Sequence, residues 1–222
     1  MTAVLNGLVD SHCHLDRIDL KDYPQGLPQL MQASASAGVS HMLCIGVDLE
    51  SFPAVRELAE RYPQVHCTVG VHPLYRDSRP ASCAELLELA KHPRVVAIGE
   101  TGLDYFYAKD DPSWQRDRFA EHIAAARETG LPLVIHTRDA RDDTIAMLRD
   151  LGNGEVRGVM HCFTEDLAMA ERAMALGFYI SISGIVTFRN ADALREVVRA
   201  LPVERLLIET DAPWLAPMPQ RG

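Results

Sequence analysis

Lysine is the scarcest charged residue in this chain: Lys21, Lys91 and Lys109 are the only three among 22 basic residues, and the rest are arginine. Positive charge as a whole is short, and the net charge of −9 argues against a protein that coats nucleic acid with a basic face. An enzyme acting on nucleic acid stays open, because bound metal ions supply local positive charge. No apolar run approaches the roughly 20 residues that span a bilayer, so no membrane association is expected. The N-terminus, MTAVLNGLVDSHCH, has no basic segment ahead of its apolar stretch and reads as a first strand rather than a signal peptide. The five cysteines are odd in number and form no CxxC pair, which favours free thiols and a cytoplasmic location over a disulfide framework. No G-x-G-x-x-G follows the first strand, which argues against a dinucleotide-binding open sheet. Without a linker or low-complexity tract, residues 1–222 read as one domain with a sizeable core.

Short apolar, β-branched runs alternate with amphipathic stretches. Strands are expected at Val4–Asp10, His41–Gly46, Val65–Gly70, Val95–Gly99, Leu133–His136, Gly158–Cys162, Phe178–Ser183 and Leu206–Thr210. Helices are expected at Leu27–Ala37, Phe52–Arg61, Ala84–Ala90, Trp114–Thr129, Ala140–Leu151, Leu167–Leu176 and Ala191–Leu201. Asp166 and Asn190 stand at N-cap positions, and Gly38, Gly130 and Gly177 follow helix ends. Eight strands with seven helices between them predict an α/β fold, a single-domain parallel (β/α)8 barrel of the TIM type. The eighth helix is missing from this pattern, and the expectation is a chain shorter than the full protein.

Six residues of metal-ligand type fall at the ends of predicted strands: His12, His14, Glu100, His136, His161 and Asp211. In a parallel barrel those ends form one mouth, where active sites are built. His12 and His14 are two apart, so on a strand both project from one face. A carboxylate at a strand end often only caps the following helix, but six such residues in phase with the barrel repeat point to a metal centre. Four imidazoles and two carboxylates exceed what one catalytic ion needs with a position open for water. Two ions about 3.5–4 Å apart, bridged by a carboxylate, use the set better, and Glu100 is the candidate bridge. His41, His66, His92 and His122 read as structural. Cys13 and Cys162 neighbour the histidines and are expected to face away by strand alternation.

VDSHCHLD, VGVHP, AIGETGLDY, PLVIHTRDA, GVMHCF, SGIVTF and IETDAPWLAP run in order along the chain. Together they resemble the TatD family of metal-dependent deoxyribonucleases, within the amidohydrolase-like barrels. The resemblance implies a two-metal phosphodiesterase. One ion would be held by His12, His14, Glu100 and Asp211, and the second by Glu100, His136 and His161. It also implies DNA as substrate, with hydrolysis from a 3′ end, and magnesium or manganese in turnover. Zinc is a possible bound metal, since mixed imidazole and carboxylate donors suit it.

Catalytic roles are expected for Asp211, as the residue that orients water and takes its proton, and for Glu100. Glu209 lies one strand period from Asp211 and is a candidate supporting residue. His72, Arg138 and Tyr105 are candidate substrate contacts, with Phe106 as a further stacking surface and Trp114 as packing. A monomer without an obligate protein partner is expected. Two other classes compete: a metal-dependent hydrolase of an acyl ester or amide such as D-aminoacyl-tRNA, and a non-catalytic metal-binding scaffold.

Overall fold

A computed structural model describes residues 7–108 and 111–221. Eight strands alternate with seven α-helices among them: β1 (Leu8–Cys13), α1 (Leu27–Ser36), β2 (Val39–Cys44), α2 (Phe52–Arg61), β3 (Val65–Val69), α3 (Cys83–Ala90), β4 (Val95–Asp104), α4 (Ser113–Thr129), β5 (Leu133–Arg138), α5 (Arg141–Asp150), β6 (Gly158–Met160), α6 (Leu167–Ala175), β7 (Phe178–Ile182), α7 (Asp192–Ala200) and β8 (Leu206–Ile208). Every neighbouring pair from β1 to β8 is parallel, in chain order. This is the expected barrel. Its last seam, β8 against β1, is closed by the segment that follows β8: Asp211 N–H donates to His12 O at 2.9 Å and His14 N–H to Ala212 O at 2.8 Å. Ser11 Oγ adds a bond to Ile208 O at 2.9 Å.

The core has two compartments, as alternation on a barrel strand requires. Val65, Cys67, Ile98, Leu133, Ile135 and Ile180 are buried in the layer under the helices. Val47, Ala97, Val134 and Val159 fill the barrel interior. A fully buried side chain such as Phe119 of α4 contributes about 1.5–3 kcal/mol by leaving water. Gly38, Gly130 and Gly177 all take positive φ just past helix ends, and Asp166 caps α6 by accepting from Met169 N–H at 2.9 Å. Asn190 does not cap α7; the residue before that helix is Ala191, which makes no side-chain cap bond.

Several strand limits differ from expectation, each in a way that bears on the mouth. β1 begins later and runs through His12, while residues 4–6 of the expected strand lie outside the described residues. β4 continues through Glu100 to Asp104, because its register against β5 slips between Ile98 and Thr101, resumes at Thr101 opposite Ile135 and brings Gly102 opposite His136. Gly102 permits this contact: its φ is +134°, and a Cβ there would stand 2.0 Å from His136 O. β6 and β8 stop short of His161 and Asp211, which therefore sit on loops. Among the described residues no helix follows β8, and Ile208 is 55% exposed. Nor is any described helix long and apolar enough to cross a membrane.

Candidate metal centre

All six predicted ligand-type residues converge at the C-terminal mouth. His12 comes from β1, where its backbone N–H and that of Thr210 both donate to Asp10 Oδ1, at 3.3 and 3.0 Å. Asp10 Oδ2 also accepts from Thr210 Oγ1 at 2.6 Å, so one buried carboxylate ties the β1 histidines to the segment that carries Asp211. Asp211 itself takes φ +55°, a left-handed conformation that aspartate tolerates better than most residues.

The donor atoms divide about Glu100 into two groups, which overlap, since His12, Glu100 and His161 also lie close enough to share an ion. In the first, His12 Nε2 stands 3.3 Å from His14 Nε2, 3.6 Å from Asp211 Oδ1 and 3.4 Å from Glu100 Oε2, and His14 Nε2 is 3.4 Å from Asp211 Oδ1. Donor atoms that share one ion at about 2.1 Å in a tetrahedron are about 3.4 Å apart, so these separations fit a cation. In the second group, Glu100 Oε1 lies 2.9 Å from His161 Nε2, 3.4 Å from His136 Nδ1 and 3.2 Å from His72 Nε2. Glu100 thus turns one oxygen to each group. It is 2% exposed, and a lone buried carboxylate would be costly.

The surrounding carboxylates fix the rings of the second group. Glu209 Oε1 meets His161 Nδ1 at 3.2 Å and accepts from Cys162 N–H at 2.7 Å. Asp104 Oδ2 meets His136 Nε2 at 3.0 Å, which leaves Nδ1 for the centre. Burial opposes charge on His161, yet Glu100 and Glu209 hold its pKa well above the ordinary histidine value. Burial would raise the Glu100 pKa, but His161, His72 and His12 hold it well below the usual range. His12, stacked on His161 at 3.8 Å between centroids, is pushed down by burial and by that neighbour.

These residues open into a cavity of about 840 Å³, whose walls include Arg17, His72, Tyr107, Arg138 and Trp214. His72 lies early in the loop after β3, and its Nδ1 accepts from Leu74 N–H at 3.1 Å. Arg138 lies against the cavity with its guanidinium 3.8 Å from the Phe106 ring centroid. Tyr105 is not brought to the cavity: its hydroxyl bonds Asp143 at 2.6 Å and Arg116 at 2.8 Å instead. The cause is a turn in which Asp104 Oδ1 accepts from Tyr107 N–H at 3.0 Å, swinging Tyr107 rather than Tyr105 inward. Cys162 also departs from expectation. Its φ of +44° breaks strand alternation and it lines the cavity, with Sγ 3.3 Å from Ser183 Oγ. Burial pushes its thiol up to about 12. Asp10, Asp104 and Arg17 were not singled out in the sequence. For Asp104 a signal existed, a second carboxylate four residues past Glu100 in GETGLD.

A parallel barrel with donor clusters able to hold a cation at its C-terminal mouth is the frame of a metal-dependent hydrolase. A family model described as TatD related DNase matches residues 9–222. A metal-dependent hydrolase of Escherichia coli, YcfH, is 45% identical over 97% of this chain and 81% of its own length. The 3′-5′ ssDNA/RNA exonuclease TatD of Klebsiella pneumoniae is 37% identical over 85% of this chain and 73% of its own. The crystal structure of YjjV, a TatD homologue from Escherichia coli, superposes with a TM-score of 0.87 at 31% identity, covering 97% of this chain and 83% of that one. The chain belongs to the TatD family of metal-dependent hydrolases.

Proposed function

We propose that this protein is a nuclease that uses a two-ion centre to trim single-stranded DNA from its 3′ end. The observation that carries the reading is the division of Glu100 between two donor groups, with Oε2 toward His12 and Oε1 toward His136 and His161. His12, His14, Glu100 and Asp211 would hold one divalent cation, and Glu100, His136 and His161 the other. Such ions supply charge neutralisation for a phosphodiester and make water a better acid. The name of the Klebsiella pneumoniae relative supports nucleic acid as the substrate class.

The chain's own residues do the rest. Asp211, at the edge of the cavity, takes the proton of the attacking water. Glu209 and Asp104 hold the rings of His161 and His136 in one orientation. His72 accepts at Nδ1, so in its neutral form the proton sits on Nε2. That proton meets Glu100 Oε1 at 3.2 Å, so His72 acts as a hydrogen-bond donor at the cavity wall rather than as a metal ligand. Arg17 and Arg138 line the cavity and offer guanidinium groups to the scissile phosphate and its 5′ neighbour. Tyr107 and Trp214, 63% and 49% exposed, offer ring faces to bases.

The test is a 5′-labelled single-stranded DNA oligomer with magnesium or manganese, comparing wild type with Glu100→Ala on a denaturing gel. A shortening ladder that needs metal and disappears in the variant is expected. An intact oligomer, alongside turnover of an acyl ester at equal metal, would move the assignment to a carbonyl substrate.

A further inference from the structure

α4 carries polar groups on the side that packs against the barrel. Gln115, Arg118 and His122, spaced i, i+3 and i+7, share that face with Phe119, and their exposures are 0%, 7% and 0%. Polar side chains persist at such depth when they have partners. Here the partners outside the helix lie in two short stretches of backbone. Gln115 Oε1 accepts from Asp104 N–H at 2.8 Å, and its Nε2 donates to Pro73 O at 2.9 Å and Asp104 O at 3.2 Å. Arg118 donates to the carbonyls of His72 at 3.2 Å, Tyr75 at 2.9 Å and Ser78 at 3.3 Å. His122 Nε2 accepts from Val71 N–H at 3.0 Å, while its Nδ1 donates to Arg118 O at 2.8 Å.

We propose that Gln115, Arg118 and His122 are positioning residues that act through His72 and Asp104. β3 ends at Val69, so His72 rides on a loop rather than on a strand ladder. Its ring meets Glu100 only while the backbone from Val71 to Tyr75 is held, and α4 holds that backbone at Val71, His72, Pro73 and Tyr75. The Leu74 N–H bond that sets the His72 tautomer belongs to the same loop. At the other anchor, Gln115 takes both backbone groups of Asp104, whose carboxylate orients His136. An apolar helix face would fill the same volume and leave both anchors loose. One helix therefore registers a donor at the cavity wall and a ligand-backing carboxylate against each other.

The inference rests on the ligand roles proposed above for Glu100 and His136, and two measurements on the whole chain separate it from them. The first is calorimetric titration with manganese of wild type, Gln115→Met, Asp104→Asn and the double variant, all checked for folding by thermal melting. Gln115→Met is expected to weaken one binding event by about tenfold, and the double variant to bind no more weakly than Asp104→Asn alone. Unchanged binding in Gln115→Met, or effects that multiply in the double variant, would overturn the proposal. The second is the nitrogen NMR spectrum of the His72 ring, taken without metal at a pH where the ring is neutral. Wild type is expected to hold one tautomer, protonated at Nε2, and Gln115→Met a mixture; one unchanged tautomer in the variant counts against the proposal. Absence of manganese binding by wild type would remove the ligand roles alone, and the His72 spectrum would then decide on α4. Should Gln115→Met not fold, His122→Phe, which keeps a ring but offers Val71 no acceptor, carries the same spectral test.

Discussion

The two halves of the centre are held by different means. On one side His136 and His161 are each backed by a carboxylate, Asp104 and Glu209. On the other, the outer Nδ1 atoms of His12 and His14 are buried without a protein partner among the described residues. Those two rings are placed by backbone instead: the bonds from Asp211 to His12 and from His14 to Ala212, and the Asp10 carboxylate beneath them. One half is oriented side chain by side chain, and the other is oriented by closing the barrel. A side-chain anchor can be removed by one isosteric substitution, whereas a backbone anchor yields only when the seam itself loosens.

Substitutions confined to one half, or shared by both, separate these two means of support. Glu100→Ala removes an oxygen from both halves at once. Activity on a phosphodiester should fall at least about 1000-fold, close to 4 kcal/mol of lost transition-state stabilisation, and equilibrium dialysis should show metal lost from both halves. Loss from one half only would mean that Glu100 does not join them.

Glu209→Gln touches the second half alone. It keeps the shape but not the charge behind His161, and one metal affinity should drop by about 10–100-fold while the other holds. Equal loss at both would erase the distinction between the halves.

The pH dependence of metal affinity sharpens it further. A proton on His161 must leave before Nε2 can donate to an ion, and Glu100 and Glu209 hold that proton to a higher pH than an ordinary histidine would. Affinity in this half should therefore rise with pH until the His161 pKa is passed, then level off. Glu209→Gln removes one of the charges that raise the pKa, so the plateau should begin at lower pH. A titration whose plateau does not move would show that Glu209 acts through geometry alone.

The smallest effect is expected from Asp10→Ala. It leaves Thr210 N–H and Oγ1 without their buried acceptor, at a cost in stability of about 1–3 kcal/mol read by urea unfolding. Metal affinity in the His12 half should weaken a few-fold with it. An unchanged denaturation midpoint would mean that the seam does not depend on Asp10.

Much of this was legible in the sequence for definable reasons. The limits expected for α2 and α4 hold to within a residue, and Gly130 marks the end of α4 by taking the left-handed C-cap conformation. The donor residues were visible because each stands beside an apolar strand core, and the structure brings all six together. What escaped depends on local backbone. The register slip in β4 that aims Glu100, and the Asp104 turn that exchanges Tyr105 for Tyr107, leave no periodic trace. The polar face of α4 was hidden for a different reason. Gln115 reads as a surface residue, Arg118 as a solvated charge and His122 as a core histidine until their shared partners are known.

The position of Glu100 across both donor groups has a thermodynamic consequence. If each group loads an ion, the two loading equilibria are linked through a single side chain. Occupying one side fixes the rotamer and charge of the carboxylate that the other needs, and any change in affinity this causes is felt equally in the reverse direction. Binding curves for such a centre should not decompose into two independent sites, and a substitution beside one ion should be read with both affinities in hand.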